Sequence, residues 1–96
     1  MFYTVTPACY DQLCARLTDA IAASNYFSGT LSFDFEGFSC RLTASLIVCR
    51  RTERLPEGEI EPIADLVPVW WEFHTESPEG EELLNDFTFD EVRRRL

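Results

Sequence analysis

The chain has 96 residues, and 17 acidic against 8 basic side chains give it a formal net charge of −9 at pH 7. This acidity argues against direct binding to nucleic acid or to an anionic membrane, since both need a basic surface. The length and a hydrophobic fraction of 46% predict one small packed domain, residues 1–96, without room for a large enclosed substrate cavity.

The charge is uneven along the chain. Residues 1–52 carry equal numbers of acidic and basic side chains, whereas residues 53–96 carry the entire excess of acid. All the basic side chains are arginine, which removes Schiff-base chemistry on a lysine.

The cysteines and the N-terminus bear on compartment and cofactors. The four cysteines show no Cys-x-x-Cys spacing, which argues against a zinc site, and no other motif predicts a metal or cofactor: Cys9, Cys14, Cys40 and Cys49. Because the N-terminus lacks the pattern of a secretory signal and no apolar run has transmembrane length, we expect a cytoplasmic protein with reduced thiols.

A first helix is predicted at residues 7–23. Thr6 is a favourable N-cap, Pro7 suits the first helical position, and Val5 can pack against Tyr10 as a hydrophobic staple. Apolar residues then recur at helical spacing as far as Ile21. The preceding residues 2–5 could add a strand.

Two adjoining runs predict a β-hairpin. Residues 30–36 alternate with apolar odd positions, residues 38–49 alternate with apolar even positions, and Gly37 lies in the turn between them. A third strand is predicted at residues 63–75, after a turn at residues 55–58. Its Pro68 lacks an N–H and favours a sheet edge.

An acidic loop is predicted at residues 76–86, followed by a short C-terminal helix. Thr88 and Glu91 have the spacing of a capping box, and Phe87 and Val92 can form the matching staple. The predicted fold is therefore α+β: an N-terminal helix, a three-stranded antiparallel meander with a possible fourth strand at the N-terminus, and a short C-terminal helix.

The alternation also predicts the pairing of the strands. The first hairpin is predicted to pair residues whose numbers sum to 73, and the second to pair residues whose numbers sum to 115. The second rule places small residues opposite large ones, Ala44 against Trp71 and Ser45 against Trp70. It predicts two further pairs, Arg41 with His74 and Arg50 with Asp65.

Within the third strand, two sets of side chains are predicted to face opposite ways. Val67, Val69, Trp71 and Phe73 should form an inner, buried face. The outer face then gathers an acid, a base, a cation and an aromatic ring, which makes it the candidate binding site: Asp34, Arg41, Trp70, Glu72 and His74.

Two interpretations of this outer face stay open. A histidine between carboxylates could act as an acid or base near neutral pH. An exposed sheet face with cross-strand ion pairs is the more common arrangement, and we favour it. Trp70 could form an exposed apolar patch with Ile47, Cys49, Leu66 and Pro68, or be covered by the C-terminal helix or the acidic loop.

Three functions are compatible with the sequence. We favour a small protein-interaction or accessory domain that binds a protein partner through the face or edge around Trp70, or self-associates as a homodimer. The second is an acidic decoy that mimics DNA, suggested by the clusters at residues 57–61 and 79–82. The third, a small enzyme using His74, Glu72 and Arg41, ranks last because no catalytic motif is present.

Overall fold

The structure is a computed structural model that describes residues 2–96. Strands and two helices follow in this order: β1 (Phe2–Tyr3), α1 (Pro7–Ile21), β2 (Tyr26–Phe35), β3 (Phe38–Arg50), β4 (Glu53–Leu55), β5 (Gly58–Ile60), β6 (Ile63–Glu76), β7 (Glu82–Asn85) and α2 (Phe89–Arg93). The molecule is elongated, with principal extents of 51 × 24 × 18 Å.

The predicted α+β class is confirmed, and the sheet is larger than the predicted meander. Five strands form a mixed sheet in the order β1-β7-β6-β3-β2. The predicted meander forms its antiparallel part, β2-β3-β6, and the N-terminal strand β1 pairs in parallel with β7. β7 lies within the stretch predicted as an acidic loop, so that prediction was wrong for residues 82–85.

The first hairpin has the predicted register. Phe35 pairs with Phe38 and Phe33 with Cys40, so Glu36 and Gly37 form a two-residue turn. Both turn residues have positive φ, 50° and 86°. A two-residue turn of this kind favours glycine, since positive φ costs it little.

The second hairpin keeps its predicted register in one half and loses it in the other. Ala44 pairs with Trp71 and Ser45 with Trp70, as predicted, but Leu46 then pairs with Pro68. Val69 is therefore an extra, unpaired residue of a β-bulge beside the proline, and the bulge reverses the facing of the residues before it. A second shift pairs Arg50 with Ile63.

Because of the bulge, the observed inner face differs from the predicted one. Leu66 is completely buried, whereas Val67 is 37% and Val69 62% exposed. Trp71, also predicted to be buried, is 38% exposed. The predicted pair of Arg50 with Asp65 is also wrong. The Arg50 guanidinium instead donates to the backbone carbonyls of Ala22, Ser24 and Glu61, at 2.7, 2.9 and 2.9 Å.

The tip of the second hairpin is a narrow arm. Leu55 pairs with Gly58, so Pro56 and Glu57 form a two-residue turn and β4 and β5 extend the hairpin formed by β3 and β6. The turn predicted at residues 55–58 is thus confirmed, whereas the four-residue loop at residues 56–59 that the sum of 115 assumes is wrong. At the other end of β6, β7 pairs with Thr75 and Glu76. β6 is thus an internal strand of the sheet. Along residues 63–73, however, one edge of β6 has no strand partner among residues 2–96.

The helix ends show which capping predictions were met. Thr6 Oγ1 accepts a hydrogen bond from the Cys9 N–H at 3.3 Å, as an N-cap should. Thr88 is the N-cap of α2, but its side chain makes no capping bond. Glu91 pairs with Arg94 and Arg95 instead of closing the predicted capping box.

The core lies between the helices and one face of the sheet, here called the inner face. Both helices contribute buried residues to the same apolar cluster as the inner-facing strand residues. Its largest fully buried members are Leu13, Leu17, Ile21, Leu42, Leu46, Leu66, Val92, Cys9 and Cys40. The opposite, outer face of β2, β3 and β6 is covered by no element among the described residues, and this is where the predicted site lies.

Candidate functional site

The five predicted site residues all lie on the outer face. Ser32, Arg41 and His74 form one row across β2, β3 and β6, because each is the register partner of the next. Asp34 and Glu72 lie two residues from this row on their own strands, and Trp70 lies two residues beyond Glu72. Strand alternation therefore predicted the shared face, but Asp34 and Trp70 lie three rows apart on it, so the five side chains do not form one cluster.

His74 is held between two carboxylates. Its Nε2 lies 3.2 Å from Glu72 Oε2, and its Nδ1 lies 2.8 Å from Glu82 Oε1. Glu82 was not predicted as a site residue, because it belongs to β7 and the sequence showed only an acidic stretch there. Its pairing with Glu76 brings it beside the row of Arg41 and His74.

The two carboxylates raise the pKa of His74 above its ordinary value. The hydrogen bond to Glu72 is the largest cause and that to Glu82 the next, whereas burial and the charge of Arg41 oppose them. The imidazole therefore holds its proton to higher pH than a free histidine. When protonated, the imidazolium forms ion pairs with both carboxylates.

The remaining polar residues border a shallow depression. It has a volume of about 230 Å³ and is lined mainly by outer-face polar side chains: Ser32, Asp34, Ser39, Arg41, His74 and Glu76. Asp34 accepts a hydrogen bond from Ser39 Oγ at 3.2 Å, within its own hairpin. This depression suits contact with a polar group of a partner rather than enclosure of a substrate.

The apolar half of the outer face forms what we call the outer patch, consisting of Tyr26, Ile47, Val67 and Trp70. The first three form one row across β2, β3 and β6. Trp70 lies in the neighbouring row, opposite the buried Ser45. All four side chains are exposed, between 37% and 53%.

The residues of this patch differ from those predicted for it. Trp70 is 47% exposed, so neither α2 nor the acidic stretch covers it. Ile47 belongs to the patch as predicted. Leu66 does not, because the bulge turns it into the core, and Val67 takes its place. Tyr26 joins because β2 begins earlier than the alternation indicated.

A second depression lies where β7 diverges from β6. It has a volume of about 540 Å³ and is lined by Trp71, Phe73, His74, Glu82, Leu83, Leu84, Asn85 and Phe87. Trp71 packs edge-on against Phe87 with ring centroids 5.2 Å apart, and Asn85 Nδ2 donates to the Phe73 carbonyl at 3.1 Å. Three of the side chains that line it belong to the core: Phe73, Leu83 and Phe87.

The cysteines are not arranged as nucleophiles beside His74. Cys9 and Cys40 are buried in the core. Contact with Cys9 and burial raise the pKa of the Cys40 thiol far above its ordinary value, and burial raises the pKa of Cys14. A raised pKa leaves Cys40 and Cys14 with little thiolate. A hydrogen bond with Cys40 lowers the pKa of Cys9, but Cys9 is completely buried.

Residues 2–96 contain neither a cluster of potential metal ligands nor a helix able to span a membrane. No group of three or more His, Cys, Asp or Glu side chains in this range could hold a metal ion. The same range contains no helix whose length and apolar character would let it cross a membrane.

Comparisons of the chain with protein-family models, with curated proteins and with solved structures gave no significant match.

Proposed function

We propose that this protein is an interaction domain that binds a partner protein through the outer patch. The observation that carries the proposal is the position of Trp70, half exposed on a sheet face that the chain's own helices leave uncovered. Tryptophan is enriched among residues that dominate binding energy, because it buries a large area with few rotatable bonds.

The neighbours of Trp70 make the patch continuous. Ile47 lies diagonally across the strand pair from Trp70, at a separation of about 7 Å that large side chains bridge. Tyr26 and Val67 flank Ile47 directly. Contiguous exposed apolar side chains with a polar rim are typical of protein-binding surfaces, whereas scattered ones are not.

The rim indicates the chemistry of the partner. Towards the depression the patch is bordered by Glu72, whose side chain is 60% exposed. At its other end lies Asp65, whose carboxylate is already held by Arg93. The chain as a whole carries a charge of −9. The complementary surface is therefore an apolar strip flanked by lysine or arginine, which would also speed encounter at low salt.

The distribution of the acids supports this function over the DNA-mimic decoy. One acidic cluster lies on the β4–β5 arm and the other in the turn before β7. These are opposite ends of β6, whose 14 residues span roughly 46 Å at the rise of a strand. A mimic needs closely spaced charges along one surface, whereas these clusters are separated by the outer patch and the His74 row.

The test is affinity capture from an extract of the native host, using wild type, Trp70→Ala and Leu84→Ala. Leu84 is the matched control, because it is a 76% exposed apolar residue on β7, away from the patch. We expect a protein that wild type and Leu84→Ala retain and Trp70→Ala loses. Its purified complex should weaken at least tenfold on Trp70→Ala, about 1.4 kcal/mol, and should weaken further with salt.

The proposal fails if no captured protein distinguishes wild type from Trp70→Ala. It also fails if the purified complex is unaffected by Trp70→Ala but depends on the acidic arm. That second outcome would favour the decoy.

A further inference from the structure

The free edge of β2 lacks the features that keep sheet edges from pairing. β2 is a terminal strand of the sheet and pairs with β3 over ten consecutive residues without a bulge. It contains no proline or lysine, and Asp34 is its one charged side chain. Monomeric proteins usually block such an edge with a proline, a charge or a bulge.

The orientation of the backbone groups at this edge follows from two contacts. The Val48 N–H donates to the Asn25 carbonyl at 2.9 Å, so odd-numbered residues direct their backbone groups towards β3. Gln12 Nε2 reaches the Asp34 carbonyl from α1 at 3.2 Å, so an even-numbered residue directs its carbonyl outward. The even-numbered residues of β2 therefore present N–H and C=O groups that β3 does not pair.

We propose that the edge of β2 pairs with the same edge of a second copy of this chain, antiparallel about a two-fold axis. The distribution of charge in the molecule favours a second copy of the chain as the partner of this edge. β2 lies in residues 1–52, whose charges balance, so two copies joined there keep their acidic halves apart. An isologous contact of one strand with itself is also the simplest closed symmetry for a dimer.

The register with the largest number of backbone bonds places Thr30 on the axis. Ser28 then pairs with Ser32, and Tyr26 with Asp34, across the two copies. No two like charges face each other. On the inner side, Gly29 of one copy lies opposite Leu31 of the other, which sets a small residue against a large one.

The free edge of β6 is less suited to the same role. Pro68 removes a backbone donor, and the bulge at Val69 interrupts a straight edge. Asp65 on this strand is bonded to Arg93 of α2, at 2.9 and 2.7 Å. Two copies paired here would also bring together the halves that carry the whole negative charge.

The test measures mass by light scattering for wild type, Thr30→Lys, Thr30→Glu and an equal mixture of the two variants. The expected mass of wild type is twice 11.1 kDa. Thr30 of one copy lies opposite Thr30 of the other across the axis. Each single variant therefore places two like charges side by side in the dimer, which should dissociate it and halve the mass. The mixture pairs lysine with glutamate and should restore the doubled mass.

Thr43→Lys is the matched control. Thr43 is the register partner of Thr30 on β3, so the substitution adds the same charge one strand away from the edge. It should leave the mass doubled, as should Trp70→Ala. A wild type that stays at 11.1 kDa up to its solubility limit overturns the proposal. So does a dimer that Trp70→Ala dissociates, or one that the mixture fails to restore. A monomeric wild type leaves the outer patch proposal standing, since that depends on another face.

Discussion

The inner and outer faces of the sheet are built from the same strands, but the inner face is buried and the outer face is exposed. On β3, the even-numbered Leu42, Ala44 and Leu46 are at most 1% exposed, while Ile47, next in sequence, is 47% exposed. The helices account for the first set, because α1 and α2 bury their apolar stripes against it. Nothing in the described chain accounts for the second.

This difference separates residues needed for folding from residues available for binding. Burial of apolar area stabilises the fold in proportion to the area removed from water, so the inner face carries most of that stabilisation. An apolar residue left on the outer face contributes little to folding. Its presence beside three other exposed apolar residues is what the proposed binding role requires.

The largest expected effect comes from a pair of neighbours on opposite faces, Leu66→Ala and Val67→Ala. Leu66 is completely buried, so its truncation should cost about 2–5 kcal/mol of the free energy of unfolding. Val67 is partly exposed, and its truncation should cost about 1 kcal/mol or less. Urea unfolding measures both. Equal costs, or the reverse order, would mean that the bulge at Val69 is absent.

The same pair shows how far the sequence could predict the fold. Strict alternation limited both hairpins to registers that keep apolar residues on one face, and the assumed loop lengths then chose the register near Ala44. Leu66 and Val67 are both apolar, so alternation could not choose between them. Pro68 predicted a sheet edge but no bulge, and the position of the extra residue depends on how Leu66 packs beneath the helices.

The candidate site likewise contains residues whose meeting the sequence could predict and one residue that it could not. The meeting of Arg41 and His74 followed from the register, since both are close to the well-specified pair Ala44 and Trp71. Glu82 could not be predicted, because β7 is only four residues long and its two central leucines are adjacent, which leaves no alternation to recognise. Short strands in charged stretches are fixed by tertiary contacts rather than by local pattern.

A smaller loss is expected from Asp65→Asn, which cuts a link between the two layers. Arg93 holds the Asp65 carboxylate with two hydrogen bonds and lowers its pKa below the ordinary 3.8. A lowered pKa means that the carboxylate stabilises the fold above pH 3.8, and that this stabilisation is lost as the pH falls through the folded-state pKa.

Unfolding in urea at neutral and at acid pH measures this contribution. Asp65→Asn should be less stable than wild type at neutral pH, by a fraction of the loss in Leu66→Ala, and the two should converge in acid. Glu53→Gln is the control, because its carboxylate pairs with Arg51 at 2.8 Å on the exposed arm and should matter little. A gap that persists in acid would mean that the substituted amide disturbs packing, in addition to removing a charge.

The smallest effect on folding, and the sharpest probe of the outer face, is expected from Glu72→Gln and Glu82→Gln. Each removes one of the anions that raise the pKa of His74, so each should lower that pKa, Glu72→Gln by more. His74 is the one histidine of the chain, so its NMR titration needs no assignment. Arg41→Gln should raise the pKa, because the charge of Arg41 opposes the imidazolium.

The stability that accompanies this titration has a defined direction. A raised pKa means that the His74 pair stabilises the fold fully below pH 6.5, and that this is lost as the pH rises through the folded-state pKa. The change should be small, because the His74 side chain is 35% exposed. If Glu82→Gln leaves the pKa unchanged, β7 does not lie against β6 as described. If both variants shift it while the urea midpoint stays fixed, the charge of the outer face can vary without cost to the inner one, as a binding surface requires.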